Sequence, residues 1–292
     1  MKQSRLTLLL AVFTLFFSCA LPVLAATTIR VRGNPRQGDI LFVTVEDVSP
    51  DAKGTILWMG QKTPLSRGES GLQALLPIKV DARPGVYPVK IAMEEPEKEF
   101  LVRKVAVKKR WFATQSLWLS EDQLSNYDYP GVEREYDEIH RAFQKFSALQ
   151  IWEGPFLMPV EGKVKTVFGL RRYVNGEDYG EHRGQDIAAG YGEPVRASNS
   201  GTVTLVREDY RLHGKTIVLD HGQGVSTIYL HLSSVAVREG DTVGRGAVIG
   251  RVGATGVATG PHLHWGIYVH GEAVNPSALI NPPREWLPAE AP

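Results

Sequence analysis

Hydrophobic and polar positions divide this chain into four stretches with different periods. Residues 1–25 open on Lys2 and Arg5, run through the apolar LTLLLAVFTLFF and close on Val23-Leu24-Ala25. A basic start, an apolar run and small residues at the exit read as a secretory signal that is removed. Across 26–110, the segments TIRVR, DILFVTVED, TILWMG, LQALLPIKV, GVYPVKIAM and EFLVRKVAVKK are parted by turn residues at Gly33-Asn34-Pro35, Ser49-Pro50-Asp51, Arg67-Gly68 and Arg83-Pro84-Gly85. Short strands at this spacing predict an immunoglobulin-like β-sandwich, with Trp58 in its core. Residues 111–155 change period. Val132, Tyr136, Ile139, Phe143 and Phe146 recur at steps of 4, 3, 4 and 3, an amphipathic helical stripe. Ser120-Glu121-Asp122 reads as a helix start and Pro130 as a first-turn proline, so a helical connector is expected here. From 156 to 285 the chain returns to strands: VKTVFG, HRGQDIAA, PVRASNSGTVTLVRED, KTIVLDHG, STIYLHLS, VIGRVG and HLHWGIYVHG. Turns at Asn175-Gly176, Gly222 with Gly224, and Gly253 with Gly256 predict tight hairpins around a cleft, in a domain that is mostly antiparallel β. The whole chain is therefore expected to be mostly β.

Composition changes that picture in two places. Removal of the first 25 residues takes two basic and no acidic side chains, leaving 31 Lys and Arg against 32 Asp and Glu, with Lys108-Lys109-Arg110 read as a solvated strand end. Such balance argues against a nucleic-acid partner, which needs a basic face. The single cysteine, Cys19, falls inside the signal, so the mature chain has no disulfide to form. Phe16-Phe17-Ser18 is a poor setting for lipidation of that cysteine, and Pro22 with the Ala25-Ala26 junction favours cleavage over a retained membrane anchor. No stable membrane insertion is expected once the signal is gone.

The candidate chemistry lies in three fragments of the last stretch. In GPHLHWGI, His262 and His264 are two apart, so on a strand both imidazoles point to one face while Trp265 and Ile267 anchor the other. In EHRGQDIAA, His182 and Asp186 are four apart, and Gly184 between them argues for an extended segment over a helix. The third fragment, TIYLHLS, adds His231. Imidazole nitrogens with a carboxylate oxygen are a usual ligand set for catalytic zinc, which takes three protein ligands and leaves a fourth position for water. Buried imidazoles and a carboxylate cost too much desolvation to gather without a partner. Of the other histidines, His213 stands by a loop that can border the cleft, His221 is expected to fix a turn, neither is assigned to zinc, and His140 has no case as a metal ligand. Arg171 and Arg172 are candidates either to meet a substrate carboxylate or to pair within their loop, and Tyr173 or Tyr179 to donate to an oxyanion.

These fragments carry a resemblance. From about Val160 to Leu279 the chain resembles the lysostaphin-like (LytM-type) zinc metallopeptidases, whose marks are HxxxD, a lone histidine after a strand and a closing HxH; here they read His182 to Asp186, His231 in YLHLS and His262-Leu263-His264. FGLRR, DHGQGVSTIYLHLS and EGDTVGRGAVIG are also similar to the family. The last of these looks like a biotinyl or lipoyl carrier hairpin as well, but it has no lysine to carry the cofactor. The resemblance implies that His182, Asp186 and His264 bind Zn2+, and that His231 and His262 line its open side as catalytic residues, with a histidine as general base. It implies a periplasmic or secreted endopeptidase that hydrolyses peptide cross-links of bacterial peptidoglycan. The alternative is a non-hydrolytic peptidoglycan-binding or amidase-activating protein, whose usual sign, a lost ligand, is not seen. A regulatory protein partner, and a latent state in which the amino-terminal half or the connector blocks the site, are further expectations.

Overall fold

The computed structural model describes residues 27–95, 98–125, 127 and 129–283. The expected signal of residues 1–25, with Cys19, and the last residues of the stretch to 285 lie outside the described residues. No helix among the described residues is long and apolar enough to cross a membrane.

The first eight strands are β1 (Thr28–Gly33), β2 (Ile40–Glu46), β3 (Lys53–Trp58), β4 (Gln61–Pro64), β5 (Ser66–Gly68), β6 (Gly71–Pro77), β7 (Gly85–Glu95) and β8 (Phe100–Val107). They form two four-stranded antiparallel sheets, ordered β1-β2-β6-β5 and β4-β3-β7-β8. Both sheets contribute to one core, in which Leu41, Val43 and Val45 meet Ile56, Trp58, Val89 and Ile91. Trp58 is buried and its indole N–H donates to the Pro77 carbonyl at 2.7 Å. Strand β2 is buried on both faces, which is why it reads ILFVTVE without alternation. Its other face, Ile40 and Phe42, joins Leu75, Trp152 and Phe156 in the core of the carboxy-terminal domain. The two β-domains thus share apolar contacts, reinforced by hydrogen bonds from His270 to the Leu75 carbonyl and from Gln61 to the His270 carbonyl.

Between the domains run β9 (Thr114–Leu117), α1 (Glu121–Leu124) and α2 (Val132–Phe143). The buried face of α2 is Glu135, Ile139, Ala142 and Phe143. Tyr136 and Phe146, expected on the apolar stripe, are exposed, and Phe146 lies beyond the helix end. Pro130 precedes Gly131, the N-cap residue, and so stands outside the first turn. The helix sits on the outer face of the next domain, where Phe143 stacks on Tyr268 at 3.9 Å between ring centroids.

The remaining elements are β10 (Lys163–Thr166), β11 (Arg171–Val174), β12 (Glu177–Glu181), β13 (Gln185–Ala188), β14 (Pro194–Arg196), β15 (Gly201–Arg207), β16 (Lys215–Gly222), β17 (Val225–Leu232), β18 (Ser234–Val235), β19 (Thr242–Val243), β20 (Val248–Arg251), β21 (Leu263–Val269), β22 (Glu272–Val274) and α3 (Ser277–Ile280). The main sheet is antiparallel and ordered β10-β13-β21-β17-β16-β15-β19, with β22 added to β21. A second sheet, β14-β20-β18, packs with it around Val195, Ile217, Tyr229, Ile249, Trp265 and Ile267. Strands β11 and β12 are joined at Asn175-Gly176, both with positive φ, as a two-residue hairpin requires. The connector enters this domain directly, because β9 pairs in parallel with β11.

Candidate active site

Strand register assembles the site. Asp186 on β13 lies opposite His264 on β21, and Leu230 on β17 lies on the other side of His264, so His231 follows one residue later at the strand end. Trp265 and Ile267, which alternate with His264, are fully buried and fix β21 in the core. His182 sits in the loop before β13, held by its own N–H to the Leu170 carbonyl and by the Gly169 N–H to its carbonyl, each at 2.8 Å. His262 lies just before β21, in a bridge with Gly253.

Three ligand-type atoms converge. His182 Nε2, Asp186 Oδ1 and His264 Nδ1 lie 3.0, 3.0 and 2.9 Å from one another. His182 Nδ1 faces the Val167 carbonyl at 3.1 Å and so carries the ring proton, which leaves Nε2 as a lone pair. In the tautomer that carries its proton on Nε2, His264 adds Nδ1 to this set, and two imidazole nitrogens and a carboxylate oxygen present lone pairs to one point. Without a cation that arrangement is repulsive, and the separations approach the roughly 3.3 Å edge of a tetrahedron built on zinc–ligand bonds of about 2.0–2.1 Å. The donor set fits a metal ion such as zinc. The other carboxylate oxygen, Asp186 Oδ2, accepts from Arg172 Nη2 at 3.0 Å, which orients the carboxylate as an outer partner of a metal ligand does. Burial raises the Asp186 pKa, but the neighbouring His182 and His264 imidazoles outweigh it and hold the carboxyl far below its usual range.

Two further histidines face this cluster. His262 Nδ1 is committed to the Gly260 carbonyl at 2.8 Å, and its Nε2 lies 3.9 Å from Asp186 Oδ1. His231 Nδ1 is committed to the Thr255 carbonyl at 2.9 Å, and its ring centroid is 4.9 Å from that of His262 and 6.3 Å from that of His264. Both rings thus turn Nε2 toward the cleft. Burial, and then the neighbouring His264 and His262, press the His231 pKa down to about 3. His231 also has φ 63°, the left-handed region that costs a non-glycine residue about 1–3 kcal/mol and is found where function holds it. Gly184 is required by proximity. A Cβ there would stand 2.6 Å from both His264 Nε2 and the Trp265 carbonyl oxygen.

A cavity of about 460 Å³ opens beside the cluster. One wall comes from the sheet, including His182, His231, His264 and Arg183, and the other from the connector, including Tyr127, Tyr136 and His140. Of the remaining candidates, Arg171 pairs with Asp178 and not with the site. Tyr179 lines the cavity and meets Tyr127 edge to face at 5.6 Å. Tyr173 is not among the residues lining it, and lies under the Arg171 guanidinium. His213 borders the cavity, while His221 is fully buried between the Ser200 carbonyl and the Thr227 hydroxyl. Three roles went unassigned in the sequence because they act through space: Arg172, read as a substrate or loop partner, on Asp186; Thr255 on His231; and the connector, expected only as a block, as a cavity wall. Only the arginine pair carried a signal.

The comparisons with known proteins meet this geometry. Residues 180–276 match the model of peptidase family M23. The chain carries a peptidase family M23 domain. DD-carboxypeptidase/endopeptidase Mpg of Neisseria meningitidis serogroup B is 38% identical over 128 residues, which is 44% of this chain and 29% of that protein. Peptidoglycan DD-endopeptidase ShyA of Vibrio cholerae is 36% identical over 140 residues, 48% of this chain and 30% of that protein. The match thus spans under a third of the length of these curated relatives. A crystal structure of a candidate M23 peptidase from Pseudomonas aeruginosa superimposes with a TM-score of 0.61 at 27% identity, covering 85% of this chain and 95% of that one. At 85% of the chain, that overlap extends well beyond residues 180–276.

Proposed function

We propose that this chain is a zinc-dependent endopeptidase acting on the peptide cross-links of bacterial peptidoglycan outside the cytoplasm. The observation that carries the reading is the convergence of three lone-pair atoms, from His182, Asp186 and His264, beneath two histidines whose Nε2 atoms face the same point. The names of the relatives, a DD-carboxypeptidase/endopeptidase and a DD-endopeptidase, support the substrate class. Held by those three side chains, zinc would supply Lewis acidity toward a peptide carbonyl and toward the attacking water.

The chain's own residues do the rest. His262, its Nδ1–H fixed on Gly260, is the general base: Nε2 takes the proton of the attacking water and returns it to the leaving amine. His231 stands beside it, its ring orientation set by Thr255. Arg172 keeps Asp186 in place through Oδ2. The walls around the 460 Å³ cavity offer a groove in which the reacting peptide can be held. Within the same reading, residues 26–110 form an immunoglobulin-like domain, since the sheet orders β1-β2-β6-β5 and β4-β3-β7-β8 run parallel to the A-B-E-D and C′-C-F-G orders of that fold. Residues 1–25 are the export signal that brings the enzyme to the wall.

The test is chelation and reloading. Protein stripped of metal should lose cleavage of cross-linked muropeptides and regain it with one zinc per chain. Retention of activity after complete stripping, or one-zinc loading that restores nothing, refutes the reading.

A further inference from the structure

Helix α2 carries an acid where its pattern calls for an apolar residue. Glu135 is 1% exposed, on the same face as Ile139, Ala142 and Phe143. A buried carboxylate costs several kcal/mol unless it is fully paired, and this one is. Oε1 accepts from the Tyr129 hydroxyl and from the N–H groups of Arg211 at 2.5 Å and Leu212 at 3.3 Å. Oε2 accepts from the His213 N–H at 3.2 Å and from His213 Nδ1 at 2.7 Å. Three consecutive backbone N–H groups thus close on one carboxylate, an anion nest supplied by the M23 domain and filled by the connector. Burial opposes the charge, but the bonds from His213 and Tyr129 prevail and bring the Glu135 pKa down to about 2.

The loop that Glu135 organises reaches the catalytic histidine. The Leu212 carbonyl accepts from the Val257 N–H at 2.9 Å, and the His213 carbonyl accepts from the His231 N–H at 3.1 Å. Gly214, at φ 65°, presses so closely on Thr255 that a Cβ would stand 2.5 Å from its carbonyl. The Lys215 N–H then donates to Thr255 Oγ1 at 2.9 Å, and that hydroxyl donates to the Leu232 carbonyl at 2.7 Å. The Thr255 carbonyl holds His231 Nδ1. Both the strained backbone and the ring of His231 therefore hang on the loop that Glu135 ties down. Glu135 lies outside the residues 180–276 that match the family model.

We propose that Glu135 is a positioning residue for His231, and that the connector helix is a working part of the active site and not a linker. This rests on the catalytic reading of the site given above. Glu138 provides the comparison. It sits on the same helix and ties it to the same domain through Arg207 Nε at 2.7 Å and the Tyr210 hydroxyl at 2.8 Å, whereas the backbone N–H groups of 211–213 go to Glu135.

The experiment places Glu135→Gln and Glu138→Gln in the full chain loaded with zinc, and records imidazole 1H–15N spectra, melting temperature, zinc content, kcat and KM on cross-linked muropeptides. For Glu135→Gln we expect the His231 Nδ1–H resonance to shift or vanish while that of His221 stays. We expect kcat to fall about 10- to 100-fold with KM and zinc content unchanged, the scale of a misplaced catalytic group. Glu138→Gln should lower the melting temperature and leave the His231 resonance and kcat in place. If Glu135→Gln does not fold, Glu135→Asp, which keeps the charge but shortens its reach, takes its place with the same expectations. The proposal is overturned if the His231 resonance is unmoved, if both variants lose activity in step with their melting temperatures, or if Glu135→Gln is more active than the parent, which would make the connector a plug. Should the parent itself cleave nothing, the catalytic reading fails, and the spectra still decide whether Glu135 holds His231.

Discussion

Gly184 offers a sharp test of the candidate metal cluster, because its substitution replaces no ligand and acts only by crowding one. In Gly184→Ala the new methyl would sit 2.6 Å from His264 Nε2, 2.9 Å from His264 Cε1 and 2.6 Å from the Trp265 carbonyl oxygen. Ordinary contacts need about 0.8 Å more. The carbonyl belongs to β21, whose pairing with β13 and β17 resists displacement on both sides. The imidazole is the part that can yield, and it yields by swinging Nδ1 away from Asp186 and His182. Overpacking of this kind costs about 1–3 kcal/mol. If most of that falls on the ring, metal affinity drops by roughly 5- to 150-fold at 1.4 kcal/mol per decade. Zinc affinity measured by competition with a chromogenic chelator reads it directly, and the metal-free melting temperature separates it from general damage. Affinity within two-fold of the parent would refute this reasoning and show that the strand accommodates the methyl.

Three further outcomes are expected. Arg172→Ala removes the partner of Asp186 Oδ2 and should weaken zinc binding by about 10- to 100-fold, read by the same competition, whereas unchanged affinity would reduce Arg172 to a surface contact. His221 is fully buried and held by burial to a pKa of about 4, against about 6.5 when unfolded. The unfolded chain thus takes up a proton first, and stability that is complete above pH 6.5 falls by about 3 kcal/mol by pH 4; an NMR titration should find His221 neutral at pH 5, and a midpoint near 6.5 contradicts it. Phe42→Ala opens the core shared by the two β-domains and should cost about 3–5 kcal/mol, dividing one calorimetric transition into two, where a single transition at nearly the parent temperature would mean that the interface carries little.

How much of this was legible in the sequence depends on whether an interaction is local. The two-residue step from His262 to His264 and the buried Trp265 and Ile267 follow from strand periodicity, and the Asn175-Gly176 turn from its dihedral demands. Strand β2 was legible as a strand, but its unbroken apolar run left open which two layers covered it. The short strands β4, β5, β9, β19 and β22 went unread, since two to four residues leave no period to detect. On α2 the stripe placed Ile139 and Phe143 correctly on the buried face but misplaced Tyr136, because the helix buries a carboxylate, Glu135, and leaves Tyr136 on a cavity wall. No pattern of apolar residues announces a buried acid. Its reason lies in three N–H groups that are 76 to 78 residues away. The pairing of Arg172 with Asp186, and of Thr255 with His231, is invisible for the same cause.

The most direct measurement is digestion of purified sacculi by the chain from residue 26 onward, with and without chelator and beside His262→Ala, with the released muropeptides read by mass spectrometry. The expected result is chelator-sensitive loss of cross-linked dimers, abolished in His262→Ala while zinc binding by His182, Asp186 and His264 persists; the masses then name the bond. No release of fragments by the zinc-loaded chain, or equal release by His262→Ala, would contradict a metal-assisted peptidase with a histidine base.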